Sequence, residues 1–335
     1  MLISKLGIDL GTTNTLVYVP GKGVVINEPT AVALVKPENK VMAVGREAKE
    51  MVGKTPSNIV IYKPLKEGVI AEYYITKAML AYFINKAIGR FNLLKPEVAI
   101  SVSCGITPVE RRAVVKAAKE AGAREVYLVK EPILAALGAG IPINSSEGNM
   151  IVNLGGGTSE IAVISLGGIV SYASEKIGGN KLDQAIASYI KKRFKLVIGE
   201  RTAEKIKFEI GEALPPKKIV ELKIRGRDFR TGLPKDLVIQ NVHVQEAISF
   251  HLSEIARSIE KVFNQTPPEL VADIMEKGII ISGGTAKLRK IDKYFEKVLK
   301  VPAYVAEDPL YCVVKGTALI LDHLDVYKRA LLSKF

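Results

Sequence analysis

Cysteine and histidine are scarce in this sequence, and their scarcity excludes several kinds of site. The 335 residues include two cysteines, Cys104 and Cys312, which lie far apart and lack the CxxC spacing of a metal-binding pair. Two such cysteines form no disulfide framework, so we expect both to be buried as small hydrophobic side chains. The three histidines, His243, His251 and His323, also lack a ligand spacing. Metal binding through imidazole is therefore not expected.

Long apolar runs are absent as well. No run approaches the roughly 20 residues that a helix needs to cross a bilayer. The first residues, MLISKLGIDLG, read as a strand and lack the basic flank and apolar segment of a cleavable signal. With 48% hydrophobic and 25% charged residues, the composition is that of a globular protein with one large or two ordinary domains. We expect a cytoplasmic, soluble protein that can still lie on a membrane.

Acidic residues are outnumbered by basic ones. Lys and Arg total 48 against 35 Asp and Glu, which gives a formal net charge of +13. This balance favours anionic partners such as a nucleotide, an acidic membrane face or nucleic acid, although solvated lysines produce the same balance. No interleaving of aromatic and basic residues supports nucleic-acid binding, so we predict no nucleic-acid partner.

The sequence contains an internal repeat. Residues 8–19 align with residues 152–163, and both segments read as strand, glycine-rich turn and strand. A second glycine turn and a third apolar run follow each segment. The alignment places Asp9 opposite Asn153. The sequence therefore predicts two related halves, each opening with a β-meander, that agree at the glycines and differ at the charged position.

Helix and strand signals follow each meander. EVAISV (97–102) and EVYLV (125–129) read as buried strands on either side of a helix. Thr107 and Glu110 form a capping box for that helix, Pro108 suits its first position and Gly122 is a stop signal. The order strand, helix, strand predicts a mostly parallel sheet with helices outside it.

The second half shows similar signals. Apolar residues at helical spacing predict helices over 182–194, 201–210 and 246–263. Residues 220–240 predict a small strand-rich insert with turns at Gly226 and Gly232. The segment GIIISGG (278–284) reads as a buried strand that runs into a glycine pair.

The glycine-rich turns are candidate phosphate-binding loops, because bare backbone N–H groups can approach an anion closely there. One such turn is weak evidence. Two at equivalent points of two halves, one of them next to Asp9, predict a clamp that grips one polyphosphate in the cleft between the halves. The carboxylate would hold a hydrated Mg²⁺ ion, which needs few protein ligands. A P-loop and a GxGxxG segment opening a helix are both missing from the sequence.

Four segments resemble a known superfamily in order and spacing. IDLGTTNT (8–15), KEPILAALGAG (130–140), VNLGGGTSE (152–160) and GIIISGGTAKL (278–288) are similar to the phosphate hairpins, connecting segment and adenosine loop of the actin, Hsp70 and sugar-kinase superfamily. Within it, the sequence is identified as a member of the MreB family of bacterial actin-like rod-shape proteins. The segments that carry this closer resemblance include NEPT (27–30), VGREAKEMVGKTP (44–56), ITPVERRAV (106–114), IGERTAEKIKFEIG (198–211), TGLPK (231–235) and TPPEL (266–270).

The resemblance implies an α/β fold, the actin-like (ribonuclease H-like, duplicated) two-domain fold with a nucleotide cleft between the domains. Each domain would carry a small subdomain as an insert. The implied boundaries are 1–32, 66–145 and 315–335 for domain IA, 33–65 for subdomain IB, 146–181 and 246–314 for domain IIA, and 182–245 for subdomain IIB.

The resemblance also implies a site for ATP or ADP with Mg²⁺. The implied catalytic residues are Glu131, which would position the attacking water, and Thr158 of the second clamp. Asp9 would lie near the Mg²⁺ ion, and Asn153 would contact it through water. The implied nucleotide-binding residues are Gly11, Thr12, Thr13, Asn14, Gly155, Gly156, Gly157, Thr158, Gly179, Glu204, Lys207, Gly283 and Gly284.

Three positions depart from the family pattern. The family usually has Asp where this chain has Asn153, Asp where it has Asn180, and a third glycine where it has Thr285. Asn keeps a carbonyl acceptor but loses a full charge, and its amide donors are repelled by a cation. We expect weaker retention of Mg²⁺ and slower hydrolysis, with ATP binding preserved. The resemblance therefore implies a weak ATPase whose hydrolysis is coupled to filament turnover.

The same resemblance implies filaments and membrane contact. A homopolymer of protofilaments would associate peripherally with the inner face of the cytoplasmic membrane and govern cell shape, or serve motility in a wall-less cell. Proteins of the shape and elongation complex would be candidate partners. Leu93 and Leu94 lie in a loop that inserts into the membrane in the family, and the basic neighbours Arg90 and Lys95 suit acidic headgroups.

Two alternatives share the superfold. A small-molecule kinase would need a catalytic base facing an acceptor pocket, and no additional Asp or His is an obvious candidate. An Hsp70-like chaperone ATPase would need a substrate-binding domain that a chain of 335 residues cannot contain, unless it were an isolated ATPase module.

Overall fold

The computed structural model describes residues 3–66, 69–89 and 94–334. The first half contains β1 (Lys5–Leu10), β2 (Asn14–Val19), β3 (Gly23–Pro29), β4 (Val32–Val35), β5 (Lys40–Val44), α1 (Arg46–Glu50), β6 (Ile59–Tyr62), β7 (Leu65–Lys66), β8 (Val69–Ile70), α2 (Tyr73–Ile88), β9 (Glu97–Val102), α3 (Pro108–Glu120), β10 (Glu125–Lys130) and α4 (Glu131–Gly138).

The second half contains β11 (Asn149–Leu154), β12 (Ser159–Ser165), β13 (Gly168–Glu175), α5 (Gly179–Phe194), β14 (Leu196–Val197), α6 (Glu200–Ile210), β15 (Glu221–Asp228), β16 (Pro234–Gln240), α7 (Asn241–Asn264), α8 (Pro268–Lys277), β17 (Ile279–Ser282), α9 (Ile291–Leu299), β18 (Ala303–Val305), α10 (Cys312–Asp322) and β19 (Leu331–Lys334). Short 3-10 helices lie at Gly284–Lys287, Pro309–Tyr311 and Lys328–Ala330.

The two large sheets of the described chain share one five-stranded topology, to which the first sheet adds β19 as an antiparallel sixth strand. The first has the strand order β19-β10-β9-β1-β2-β3, and the second has the order β13-β12-β11-β17-β18. In each, an antiparallel meander (β1-β2-β3 or β11-β12-β13) is followed by two parallel strands (β9 and β10, or β17 and β18). The predicted duplication is confirmed. The prediction of a mostly parallel sheet is wrong, because the meanders make both sheets mixed.

Two small three-stranded sheets lie outside the large ones. One has the order β5-β4-β6, and the other has the order β14-β15-β16. Gly226 was predicted to form a turn, but it lies inside β15, where it pairs with Lys235. A Cβ atom there would lie 2.5 Å from the Val197 carbonyl oxygen, so the neighbouring strand explains the glycine. Gly232, with φ +77°, does form the predicted turn. The subdomain boundaries themselves stay a prediction.

Most helix predictions are confirmed to within a few residues. The Thr107 side chain accepts a hydrogen bond from the Glu110 backbone and completes the predicted capping box of α3. The helix predicted over 246–263 begins earlier, at Asn241, because Gln240 and His243 form a capping box that the apolar spacing does not reveal. Both cysteines are buried, as predicted.

Each large sheet and the elements that pack on it form one lobe, the first lobe around β1 and the second around β11. Helices α4 and α10 pack against each other and connect the two lobes. α10 packs on β1 and β9 of the first sheet, whereas α4 packs on β11 and β12 of the second. Two glycines permit this approach, since a Cβ on Gly138 would overlap the backbone of Cys312 and a Cβ on Gly316 would overlap that of Leu134. A continuous apolar cluster fills the space around them, including Ile133, Ile151, Ile164, Val313 and Ile320.

Gly316→Ala should destabilise the protein, because the added methyl group forces α4 and α10 apart. Overpacking of this kind costs roughly 1–3 kcal/mol. Urea unfolding of the purified protein measures it. Gly105→Ala is the matched control, since a Cβ there meets open space. Equal stability of the two variants would contradict the assigned role of Gly316.

Candidate functional site

A cavity of about 540 Å³ lies where the glycine-rich turns of the two lobes face each other. The residues predicted for phosphate, nucleoside, metal and water positioning all line it. They are Asp9, Gly11, Thr12, Thr13, Asn14, Glu131, Asn153, Gly155, Gly156, Gly157, Thr158, Gly179, Glu204, Lys207, Gly283 and Gly284. The structure thus brings together residues that are up to 275 positions apart in the sequence, from Asp9 to Gly284. Their individual roles stay predictions.

The turn between β1 and β2 is held from outside the cavity by Thr30. The Thr30 hydroxyl donates to the Gly11 carbonyl oxygen at 2.6 Å, and the Thr30 backbone N–H donates to the Thr13 carbonyl oxygen at 2.9 Å. Thr15 contacts the same hydroxyl at 2.9 Å. Since these bonds engage the turn carbonyls on the side of β3, the conformation of the turn is fixed before any ligand binds.

The second turn is held by the start of α5. The Gly179 and Asn180 N–H groups donate to the Gly155 and Gly156 carbonyl oxygens at 3.0 and 2.8 Å. A Cβ on Gly178 would lie 2.7 Å from both of those carbonyl oxygens. A glycine is therefore required where the helix meets the turn.

The two turns also contact each other directly. A Cβ on Gly156 would overlap the Thr13 side chain, and a Cβ on Gly157 would lie 2.7 Å from the Thr12 methyl group. The Thr13 hydroxyl donates to Asn180 Oδ1 at 3.2 Å. Asn180, the second departure from the family pattern, thus contributes an acceptor that connects the lobes.

Asp9 is buried at the end of β1 and accepts a hydrogen bond from the Ser101 hydroxyl at 2.8 Å. Burial raises the pKa of Asp9 to about 6, and the hydrogen bond from Ser101 opposes part of that rise. Ser101 also accepts from the Leu10 N–H at 3.0 Å. It lies near the carboxyl end of β9, beside β1, where the parallel topology places it against Asp9.

Glu131 is the first residue of α4 and follows β10 without a loop. Burial raises the pKa of Glu131 well above its usual range, and the nearby carboxylates of Asp9 and Glu160 raise it further. A hydrogen bond from Asn153 Nδ2 to Glu131 Oε1, 2.6 Å long, opposes the rise. Glu160 is itself fully buried and accepts from the Ser103 hydroxyl at 2.7 Å.

Asn153 is the fifth residue of β11, as Asp9 is of β1, so the predicted equivalence of the two positions holds in three dimensions. Its Oδ1 accepts a hydrogen bond from the Ser282 hydroxyl at 2.9 Å, while its Nδ2 donates to Glu131. The side chain of Asn153 is therefore oriented by protein groups at both ends.

The other end of the cavity is lined by α6 and the loop after β17. Lys207 is buried, lies 2.8 Å from Asp183 Oδ1 and donates to the Gly179 carbonyl oxygen at 3.2 Å. Glu204 forms an ion pair of 3.5 Å with Lys49 of the first lobe. The Thr285 hydroxyl donates to the Gly155 carbonyl oxygen at 2.8 Å, so the third departure from the family pattern connects this loop to the second turn.

Sequence reasoning missed several residues of the site. Phe208 lines the cavity next to Lys207, and Leu310 and Val313 supply apolar contacts near the glycine pair. The pattern of α6 predicts a helix but not which of its residues face the cavity. Ser101 and Ser282 could have been found, because polar residues at the carboxyl ends of parallel strands are expected to meet at one edge of a sheet.

The donor set around Asp9 fits a hydrated Mg²⁺ ion. Asp9 supplies one buried carboxylate at the cavity wall, and Mg²⁺ commonly binds through one or two carboxylates while keeping its waters. No group of three or more His, Cys, Asp or Glu side chains that could hold a metal ion lies within the described residues. When bound, Mg²⁺ would neutralise negative charge on the phosphates.

Comparison with known proteins assigns the chain to a family. The family model described as MreB/Mbl protein matches residues 3–329. The chain belongs to the MreB/Mbl family. Cell shape-determining protein Mbl of Bacillus subtilis (strain 168) is 47% identical over 333 residues, which cover 99% of this chain and 100% of Mbl. Cell shape-determining protein MreB of Escherichia coli (strain K12) is 43% identical over 339 residues, covering 100% of this chain and 98% of MreB.

Solved structures confirm the actin-like fold of this MreB/Mbl family member. MreB5 of Spiroplasma citri bound to ADP superposes with a TM-score of 0.91 at 37% identity, over 97% of this chain and 98% of that one. MreB5 bound to AMPPNP gives a TM-score of 0.91 at 38% identity, over 97% of each chain. The MamK double helical filament structure has a TM-score of 0.81 at 23% identity, over 95% of this chain and 98% of that one, and shows the fold alone.

The membrane predictions for this family member fall on a short segment. Leu93 lies outside the described residues, and Leu94 is 47% exposed. Among the residues that the structure describes, no helix has the length and apolar character needed to cross a bilayer.

Asp9→Asn should make stability less dependent on pH. The pKa of Asp9 is about 6 in the folded protein against 3.8 for an aspartate exposed to water, so the folded form binds more protons between these values. Its ionisation therefore destabilises the fold as pH rises from about 4 to 6, by as much as ~3 kcal/mol. We expect the free energy of unfolding of Asp9→Asn to lack this decrease between pH 4 and 6. Urea unfolding in the absence of nucleotide and Mg²⁺ measures it. The exposed Asp325→Asn is the control, and unchanged pH slopes in Asp9→Asn would contradict the assignment.

Proposed function

We propose that this chain is an ATP-binding bacterial actin-like cytoskeletal protein that polymerises into membrane-associated filaments, governs cell shape and hydrolyses ATP slowly. One observation carries the proposal: the phosphate-type turns of the two lobes face each other across one cavity that all the predicted nucleotide residues line. The ADP and AMPPNP complexes of the similar Spiroplasma citri MreB5 support it. Membership of the MreB/Mbl family favours it over a small-molecule kinase or a chaperone ATPase.

The cavity suits a nucleotide polyphosphate for a physical reason. Glycine turns expose backbone N–H groups, and such groups bind anionic oxygens without the entropy cost of ordering a side chain. Phosphoryl transfer is catalysed mainly by positioning and by neutralising charge. In this chain Asp9, through Mg²⁺, and the turn backbones would neutralise charge, and Glu131 would orient the attacking water.

Slow hydrolysis follows from the charge of the site. Asn153 stands where the family has a carboxylate. Of the two equivalent positions, 9 and 153, Asp9 is therefore the one whose charge attracts Mg²⁺. Charge-assisted contacts are about twice as strong as neutral ones. A turnover about tenfold below that of a relative with Asp at this position is the size expected from ~1–2 kcal/mol.

Polymerisation is proposed from family membership and from symmetry. Head-to-tail contacts between identical subunits generate a ring when the rotation from one subunit to the next closes a circle. For any other rotation they generate an open filament. Many weak membrane contacts of one filament would then add through multivalency.

Filament formation should require the nucleotide cavity. The purified protein is expected to pellet and to scatter light with Mg-ATP, and electron microscopy should show filaments. Gly156→Val should abolish nucleotide binding and pelleting, because the new side chain overlaps Thr13. Gly168→Val is the control, since the nearest atom to a Cβ there is 3.8 Å away and Gly168 lies outside the cavity. Soluble protein at every ATP concentration would contradict the proposal, as would filaments of Gly156→Val.

Membrane binding should depend on the two leucines. Burial of a leucine side chain contributes a few kcal/mol at most, so the double change Leu93→Ser, Leu94→Ser is expected to lower co-sedimentation with anionic liposomes by about tenfold or more. Val298→Ser, which changes an apolar residue 41% exposed on α9, is the control. Binding that is unaltered by the double change would refute this loop as the anchor.

A further inference from the structure

Three side chains form a continuous hydrogen-bonded chain at the bottom of the cavity. The Ser282 hydroxyl donates to Asn153 Oδ1 at 2.9 Å, and Asn153 Nδ2 donates to Glu131 Oε1 at 2.6 Å. Ser282 is fully buried and Asn153 is 2% exposed, so water does not compete for these bonds. Each bond joins different elements, since Ser282 ends β17, Asn153 lies in β11 and Glu131 begins α4.

The sheet register fixes the first bond. β11 and β17 pair in parallel, with Asn153 opposite Ser282, so the two side chains are neighbours on adjacent strands. A carboxamide has an acceptor end and a donor end. When the Ser282 hydroxyl occupies the acceptor end, the donor end is directed to Glu131.

The second bond is well placed to restrain Glu131. The side chain of Glu131 has two acidic neighbours, Asp9 and Glu160. Their carboxylates repel the charge of Glu131. In the part of the chain that the structure describes, Asn153 supplies the hydrogen bond that reaches the Glu131 carboxylate. A carboxylate at position 153 could not donate this bond and would add to the repulsion.

We propose that Ser282 and Asn153 are positioning residues that hold the Glu131 carboxylate in place for its work on the attacking water. The proposal rests on the proposed function, in which Glu131 orients that water. Asn153 therefore provides a donor to Glu131, and Ser282 determines which end of the amide that carboxylate meets. Ser282 does not line the cavity, so it acts only through Asn153.

The first experiment removes the hydroxyl of Ser282 and measures phosphate release and nucleotide affinity separately. Ser282→Ala removes the bond that holds Asn153 Oδ1, so the Asn153 side chain can rotate away from Glu131. We expect kcat to fall roughly tenfold, the size of one hydrogen bond to a charged group, while the affinity for ATP stays within about twofold. Ser282→Thr keeps the hydroxyl and should restore kcat. Ser165→Ala is the control, a buried serine at the far end of β12 that donates to the Ser146 carbonyl oxygen.

The second experiment tests whether Ser282 acts through the amide. Asn153→Asp has no amide to orient, so adding Ser282→Ala to it should change kcat less than about twofold. Equal effects of Ser282→Ala in both backgrounds would overturn the proposal, as would an unchanged kcat of Ser282→Ala alone or a failure of Ser282→Thr to restore it. If Ser282→Ala does not fold, Ser282→Cys replaces the hydroxyl with a weak donor of similar size and is expected to lower kcat in the same way.

Failure of the proposed function would look different. In that case the unaltered protein would bind no ATP or would release no phosphate. If the unaltered protein binds and hydrolyses ATP but the Ser282 variants behave like Ser165→Ala, only the positioning role is wrong.

Discussion

The close contact of α4 with α10 is the constraint on which the rest of the molecule depends. Each lobe has its own sheet and could bury most of its apolar residues without the other. The apolar cluster around the two helices is what joins them, and its dimensions are set by Gly138 and Gly316, where backbone lies against backbone. Since β1 and β11 both pack on this pair of helices, the separation of the glycine turns that follow these strands is set by the same contact.

Negative charge accumulates in the cavity at this junction. Asp9, Glu131 and Glu160 come from different elements. The carboxylates of Asp9 and Glu160 are nevertheless close enough to raise the pKa of Glu131. A fourth carboxylate at position 153 would add to this repulsion and would require a cation to offset it. Asn153 avoids that requirement and stabilises Glu131 with a donor instead. The side chain at position 153 therefore sets both the charge of this part of the cavity wall and the hydrogen bond to Glu131.

Much of this fold could be predicted because local signals agree with the tertiary structure. The alignment of Asp9 with Asn153 placed both residues at the same position of equivalent strands, and the capping box at Thr107 marked the start of α3 to the residue. The error at Gly226 has a physical cause. A glycine is required there by the approach of Val197 from another strand, which sequence spacing cannot distinguish from the requirement of a turn. Likewise, the sequence can place Ser282 at the carboxyl end of its strand but cannot identify Asn153 as its partner, because that contact depends on the register of two strands about 130 residues apart.

Several residues of the cavity form contacts with one another. A ligand in the cavity would have to replace these contacts or bind beside them. Thr13 contacts Asn180, Glu204 contacts Lys49, and Lys207 contacts Asp183. The first two contacts join the lobes, and both are partly exposed to solvent, where such bonds contribute little free energy. The third lies within one lobe, and its charges are buried, so breaking it would leave an unpaired charge at a cost of several kcal/mol. A ligand can therefore replace the contacts of Thr13 and Glu204 cheaply but is expected to bind beside the pair of Lys207 and Asp183 without breaking it. On this argument, the buried pair within the lobe that carries α5 and α6 is the firmest of these contacts, and the two cross-lobe contacts are the ones most easily exchanged for a ligand.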